Sequence, residues 1–169
     1  MKAPRRQRDP LARALDWLAR RDRSERELRD RLRQWGAEPE EVEAVMAKLS
    51  ERGLVDDRAF ADKLRDWHCR HDPVGPLRFS QKLRQRGVTG ETATAATEPL
   101  RDLDLQRELA RGLLLKRLPS LLALEPEART RRMRGYLARR GFAEAVVREL
   151  CIPLLRDDLS LEDYDHDPQ

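Results

Sequence analysis

Ser24-Glu25-Arg26-Glu27-Leu28-Arg29-Asp30-Arg31-Leu32-Arg33-Gln34-Trp35-Gly36 decides the fold. It opens with the Ser-x-x-Glu spacing of a capping box, where side chains take up the orphan N–H groups of a helix's first turn. Leu28, Leu32 and Trp35 then follow at steps of four and three, one face of a helix. Gly36 comes next, a residue able to take the left-handed conformation that closes a helix.

The same figure returns twice. Gly87 ends Leu83-Arg84-Gln85-Arg86-Gly87, and Gly141 ends Leu137-Ala138-Arg139-Arg140-Gly141. Eight residues before the three glycines stand Leu28, Phe79 and Met133; four before stand Leu32, Leu83 and Leu137. One after come Ala37, Val88 and Phe142; six after, Val42, Ala93 and Val147; nine after, Val45, Ala96 and Leu150. The glycines are 51 and 54 residues apart, a period that marks a tandem array.

Working outward, Asp9-Pro10 suits a helix start, with Asp as cap and Pro in the first turn. Pro39 opens a further helix through Val42, Val45, Met46 and Leu49, ended at Gly53. Asp56-Asp57 offers a cap to the next, with Phe60, Leu64 and Trp67 on its apolar side. Asp72-Pro73-Val74-Gly75-Pro76 breaks the chain before the second basic helix. Pro99 ends or kinks the thin Ala93–Ala96–Leu100 helix. Asp102 opens a leucine-rich helix that Pro119 breaks, followed by a Leu121–Leu124 connection. Glu125-Pro126 starts the last basic helix, and Pro153 closes the final one.

The expected fold is therefore all-α: three tandem three-helix, helix-turn-helix-like repeats, elongated and curved. The boundaries are a basic disordered arm at 1–8, repeats at 9–53, 54–101 and 102–156, and an acidic flexible tail at 157–169. Each repeat holds too few apolar residues for a core of its own, so neighbours should stack.

Composition supports this organisation. Hydrophobic residues make 39% of the 169-residue chain, and charged residues another 39%, against a usual quarter. The 27 Leu far outnumber 7 Val and 1 Ile, which suits helices rather than strands. Residues 157–169 carry six acidic side chains and no Lys or Arg, which leaves +10 on residues 1–156 of a chain with net charge +4. A basic body of this kind points to an anionic partner. Two lone cysteines make no disulfide framework, and no stretch has the ~20 apolar residues of a membrane span. A cytoplasmic protein without membrane contact is expected.

The basic side chains fall away from the apolar face of each middle helix. At 100° per residue, Arg26, Arg29 and Arg33 lie opposite Leu28, Leu32 and Trp35. Arg84 takes that position in the second repeat, with Arg78 and Lys82 to one side. Arg131, Arg134 and Arg139 lie away from Met133 and Tyr136 in the third. A solvated face interleaved with acids would look similar in one helix; recurrence in three copies favours a basic stripe for a long anionic partner. The helices offer mainly Arg, Glu and Asp, so phosphate contact is expected to be non-specific rather than a reading of bases.

Other chemistry is thin. His68 and His71 share a helical face, but a closed zinc site needs four ligands, so no metal is expected. No phosphate loop, nucleophile elbow or paired-histidine motif is present, so no enzyme activity and no cofactor are expected. Trp17, Trp35 and Trp67 fall at helical spacing with leucines and are expected in the core.

Several motifs in order resemble the bacterial RecX family. They are Ser24-Glu25-Arg26-Glu27-Leu28 with Leu32 and Gly36, then Gly53-Leu54-Val55-Asp56-Asp57-Arg58-Ala59-Phe60-Ala61. Gly75-Pro76-Leu77-Arg78 leading to Lys82-Leu83-Arg84-Gln85-Arg86-Gly87 completes the set. The resemblance spans residues 9–156 and is strongest in 24–87. The chain departs from it at His71-Asp72-Pro73, where the family commonly has a basic, glycine-containing turn. The resemblance implies a non-enzymatic, monomeric regulator of the recombinase RecA. Such a protein lies in the groove of the RecA–DNA filament and inhibits filament growth, ATP hydrolysis and strand exchange. A DNA-binding protein acting without RecA, or a scaffold for another acidic protein, are the readings that charge alone leaves open.

Overall fold

A computed structural model describes residues 9–156, so the proposed basic arm 1–8 and acidic stretch 157–169 lie outside the described residues. Among the described residues there are nine α-helices and no strand. They are α1 (Pro10–Leu18), α2 (Glu25–Trp35), α3 (Pro39–Glu51), α4 (Asp57–His71), α5 (Pro76–Gln85), α6 (Gly90–Thr97), α7 (Leu103–Leu121), α8 (Pro126–Arg139) and α9 (Glu144–Cys151). Short 3-10 turns cover Glu98–Arg101 and Pro153–Leu155. No helix among the described residues is long and apolar enough to cross a membrane.

The local signals act much as expected. Asp9 caps α1 through the Leu11 N–H, with Pro10 in the first turn. Gly36, Gly87 and Gly141 all take positive φ, at 96°, 86° and 80°. Pro99 lies in the 3-10 turn that succeeds α6, because a proline nitrogen cannot continue the α-helical ladder. Pro119 does not break α7, which runs on to Leu121. It sits in the last turn, where only one ladder bond is lost, and Leu118 and Leu121 on either side are buried.

The α2 capping box forms only in part. Ser24 Oγ accepts from the Glu27 N–H at 3.1 Å, but the Glu27 carboxylate turns to Arg21 and Arg86, both at 3.2 Å. The Glu25 N–H, a separate donor of the first turn, is taken by Asp57 Oδ1 at 2.8 Å. Asp56 supplies the expected cap of α4, accepting from the Arg58 N–H at 2.7 Å and the Ala59 N–H at 3.1 Å. A reciprocal capping box appears at α3, between Glu38 and Glu41.

Two compact units divide the chain. One comprises the chain up to Lys63 together with Leu83–Ala93; the other comprises Leu64–Lys82 and the chain from Thr94. In the first, α1, α2 and α3 enclose Ala14, Trp17, Leu28, Leu32, Val42, Val45, Met46 and Leu49. In the second, α7, α8 and α9 enclose Leu113, Leu114, Leu118, Met133, Leu137, Val146, Val147 and Leu154. Leu28, Leu32, Val42, Val45, Met133, Leu137 and Val147 among these are columns of the repeat, while the column residues Ala37 and Leu150 are only half-buried.

Candidate functional site

The middle helices are placed by matched junctions. Ser24 and Gly75 each stand twelve residues before their repeat's glycine. Ser24 Oγ donates to the Arg86 carbonyl, and the Gly75 N–H donates to the Arg140 carbonyl at 2.9 Å. Arg86 and Arg140 are the residues before Gly87 and Gly141. In both cases the start of one middle helix binds the end of the next. A Cβ on Gly141 would lie 2.8 Å from the Arg78 Cβ, and one on Gly87 would lie 2.8 Å from the Arg26 Cγ. Gly36 has nothing within 4 Å of such a carbon. Gly87 and Gly141 are thus needed for close approach as well as for φ, and Gly36 for φ alone.

The Asp72-Pro73 turn is part of the second junction. Arg140 Nη1 donates to Asp72 Oδ1 and to the Pro73 carbonyl, each at 2.7 Å. Burial pushes the Asp72 carboxyl up, but the Arg140 hydrogen bond and charge, with His68 and Lys82, outweigh it and hold the carboxyl below its ordinary value. His68 is buried, with Nδ1 2.8 Å from the Asp72 carbonyl.

The basic side chains singled out in the sequence fall into three environments. On α2, Arg29 sits 2.7 Å from Glu25 and 3.4 Å from Glu43 of α3. The Glu25 hydrogen bond, followed by that of Glu43, raises its pKa further above an already high value. Arg26 and Arg33 are exposed and share Asp30, at 3.6 and 3.5 Å. On α5, half-buried Arg78 donates to Gln81 at 3.2 Å; Lys82 is half-buried and Arg84 exposed.

On α8, Arg131, Arg134 and Arg139 are exposed, and so is Arg132. Among the described residues no carboxylate forms an ion pair with any of the four. Residues 131, 135 and 139 share one row of the helix at four-residue steps. Gly135 in the middle leaves space for Arg139: a Cβ there would lie 3.1 Å from Arg139 Nη1. The Arg139 guanidinium therefore lies back along the row toward Arg131. Neighbouring arginines are engaged with an aromatic face, Arg117 at 3.8 Å and Arg140 at 5.0 Å from the Tyr136 ring centre.

Arg129 also lies on α8 but is 4% exposed. Its Nε donates to the Leu154 carbonyl at 2.6 Å and its Nη2 to the Arg156 carbonyl. In an arginine-rich helix it reads as another surface charge. Its place four residues before Met133, on the apolar row, is the signal that marks it as inward.

The tryptophan expectation fails at one position. Trp17 is buried and Trp35 half-buried, but Trp67 is 49% exposed. It stacks on His71 at 5.5 Å and meets the edge of buried His68 at 4.9 Å. Helical spacing placed it near the apolar face of α4, but His68 takes the inward position against Phe79. Among the described residues, no group of three or more His, Cys, Asp or Glu could hold a metal ion. Cys151 is buried and its thiol is pushed up to about 11 by that burial, which disfavours the nucleophilic thiolate.

Comparison with known proteins agrees with the repeat. Residues 11–49 match the model of the RecX first three-helix domain and residues 104–151 that of the RecX third three-helix domain. The chain is 37% identical over 134 residues to the regulatory protein RecX of Amycolatopsis mediterranei (strain U-32), covering 78% of this chain and 74% of that one. To the regulatory protein RecX of Thermobifida fusca (strain YX) it is 36% identical over 152 residues, covering 89% and 78%. A crystal structure of regulatory protein RecX aligns with TM-score 0.71 and 28% identity, over 82% of this chain and 68% of that one. The fold also matches RecX from Lactobacillus salivarius, with TM-score 0.73 and 20% identity over 86% and 94% of the two chains.

Proposed function

This chain belongs to the RecX family, and from that premise we propose that it regulates homologous recombination and DNA repair by binding RecA–DNA filaments. It acts without catalysing a reaction, as a monomer in the cytoplasm, and lowers RecA's ATP hydrolysis, strand exchange and filament growth.

The observation that supports this reading is the set of arginines on α8 with no carboxylate partner among the described residues. A nucleoprotein filament presents phosphates and carboxylates along its length, and guanidinium forks suit both. Arg131, Arg132, Arg134 and Arg139 can engage them without first leaving a partner. Arg29 cannot, since releasing Glu25 and Glu43 would cost up to about 1 kcal/mol for each pair. The α8 face is therefore the leading contact, with Arg26, Arg33, Arg78, Lys82 and Arg84 contributing less.

The test is RecA ATPase and strand exchange on single-stranded DNA with increasing amounts of this protein. Inhibition near stoichiometric levels is expected, and no effect at those levels sinks the reading. Replacing Arg131, Arg132 and Arg134 together by Glu should weaken inhibition about tenfold or more.

The same exposed arginines favour one second reading, direct DNA binding without RecA. Four phosphate contacts on single strands would give a slope of log affinity against log salt of about −3. Tight binding to naked DNA with that slope, and no preference for filaments, would select this alternative.

A further inference from the structure

We propose that the cavity walled by Leu18, Arg23, Leu54, Phe60 and Lys63 in the first compact unit is a binding site for one phosphate group, held by the Arg23 guanidinium. Among the described residues two arginines are buried, and they are answered differently. Arg129, 4% exposed, donates to the carbonyls of Leu154 and Arg156. Arg23, 9% exposed, has a buried Nε with no acceptor, and no carboxylate among the described residues forms an ion pair with its guanidinium. A guanidinium does not shed its proton in a protein, so Arg23 stays charged, and a buried charge without a counter-ion is unfavourable.

The surroundings do not supply that counter-ion. Burial, then the charges of Arg21 and Arg31, hold the Arg23 pKa below its ordinary value; Glu27 acts the other way, and Arg86 adds to the lowering. Glu27 is already engaged, with Oε2 3.2 Å from Arg21 and Oε1 3.2 Å from Arg86. The carboxylates on the cavity wall are engaged as well. Asp22 lies 3.2 Å from Lys63 Nζ, and Asp56 Oδ1 accepts the Arg58 and Ala59 N–H groups. Arg21, Arg23, Arg31, Lys63 and Arg86 thus stand against Glu27, Asp22 and Asp56, with an excess of two positive charges.

The cavity has a volume of about 60 Å³, where pockets for whole small molecules run to about 300–1,000 Å³. It has room for a single compact group. A phosphate monoester carries about −1.5 to −2 near pH 7 and so matches the excess, whereas a carboxylate answers only half of it. Phosphate oxygens also suit the guanidinium fork, and the apolar wall at Leu18 and Phe60 strengthens a charge-assisted bond made beside it. Such a group enters as free inorganic phosphate or as the terminal phosphate of a nucleic-acid strand. An interior phosphodiester has a single charge and two ester arms, and fits neither the excess nor the space.

The site does not depend on the RecA reading, because inorganic phosphate alone is the probe. The full chain is melted in a phosphate-free chloride buffer and again with about 10 mM phosphate at equal ionic strength. With a dissociation constant of about 1 mM, phosphate should raise the melting temperature by about 3–6 °C. Arg23→Met replaces the buried cation by an apolar chain and should lose that shift. Lys63→Gln changes an exposed residue of the wall, so it reads the same site even where Arg23→Met fails to fold; calorimetry should show phosphate binding weakened about threefold. Replacing Arg131, Arg132 and Arg134 together by Glu should leave the shift in place. No shift beyond that in chloride, or a shift that Arg23→Met and Lys63→Gln both retain, overturns the proposal; so does a shift abolished by the α8 replacements alone. Oligothymidylates with a 5′-phosphate or a 5′-hydroxyl separate the two sources. Tighter binding of the phosphorylated strand, abolished by Arg23→Met, assigns the strand terminus, and equal binding beside an intact phosphate shift assigns free phosphate.

Discussion

Arg140 Nη1 lies 2.7 Å from Asp72 Oδ1, across 68 residues of sequence. The same arginine's carbonyl accepts the Gly75 N–H at 2.9 Å, so one residue holds the 72–75 turn by side chain and main chain together. The 72–75 turn is thus engaged inside the molecule. Arg140→Ala should cost about 1–2 kcal/mol, the range for hydrogen bonds to charged groups reduced for partial exposure. Urea unfolding of Arg140→Ala, Asp72→Ala and the double variant measures it; additive losses would show the pair is not coupled.

The pH dependence of that pair has a definite sign. Asp72 is held below its ordinary value in the fold, so its stabilisation is present above the ordinary carboxylate pKa of about 3.9. It is lost as the pH falls through the depressed folded value. Asp72→Asn should therefore lower stability at pH 7 but flatten its decline on acidification below about pH 4. Thermal melts at pH 7 and through that acidic range would reveal a parallel decline if Asp72 is not responsible.

The matched glycines should respond unequally. Gly36→Ala meets open space and costs only the left-handed backbone, about 1–2 kcal/mol. Gly141→Ala adds overlap with the Arg78 backbone and should lose about 3 kcal/mol or more. Gly75 has an ordinary φ, but a Cβ there would run into the Gly141 main chain, so Gly75→Ala should also be severe. Equal losses at Gly36 and Gly141 would remove the junction from the explanation.

Arginines on α2 and α8 should separate by phenotype. Arg29→Ala should cost about 1 kcal/mol, since it loses Glu25 and Glu43, and leave partner binding near normal. Arg131→Ala and Arg134→Ala should leave the melting temperature within a degree or two and weaken binding. Melting curves beside filament-binding isotherms decide; a stable Arg29→Ala that no longer binds would reverse the assignment.

Thiol chemistry reports on the α9 core. Cys151 is 1% exposed and its thiol is raised to about 11, so it should resist a disulfide reagent in the native state at pH 8. Cys69, half-buried and raised chiefly by burial, should react first. Rapid native labelling of Cys151 would indicate local opening of α9.

The sequence by itself determined the helices and much of their polarity. Caps, glycine stops and three- and four-residue apolar steps act over one or two turns, so Asp9, Gly36, Leu28 and Met133 could be placed by local rules. It also determined that α2 and α8 each carry outward arginines. Only the tertiary structure decided which of those charges are already answered. Arg29 finds Glu43 on another helix, Arg140 finds Asp72 across the chain, and Arg129 turns inward to two carbonyls, whereas Arg131 and Arg134 meet no carboxylate among the described residues. Pairing is decided by a few ångströms between elements, because a charge's interaction depends on distance and burial rather than on position in the chain.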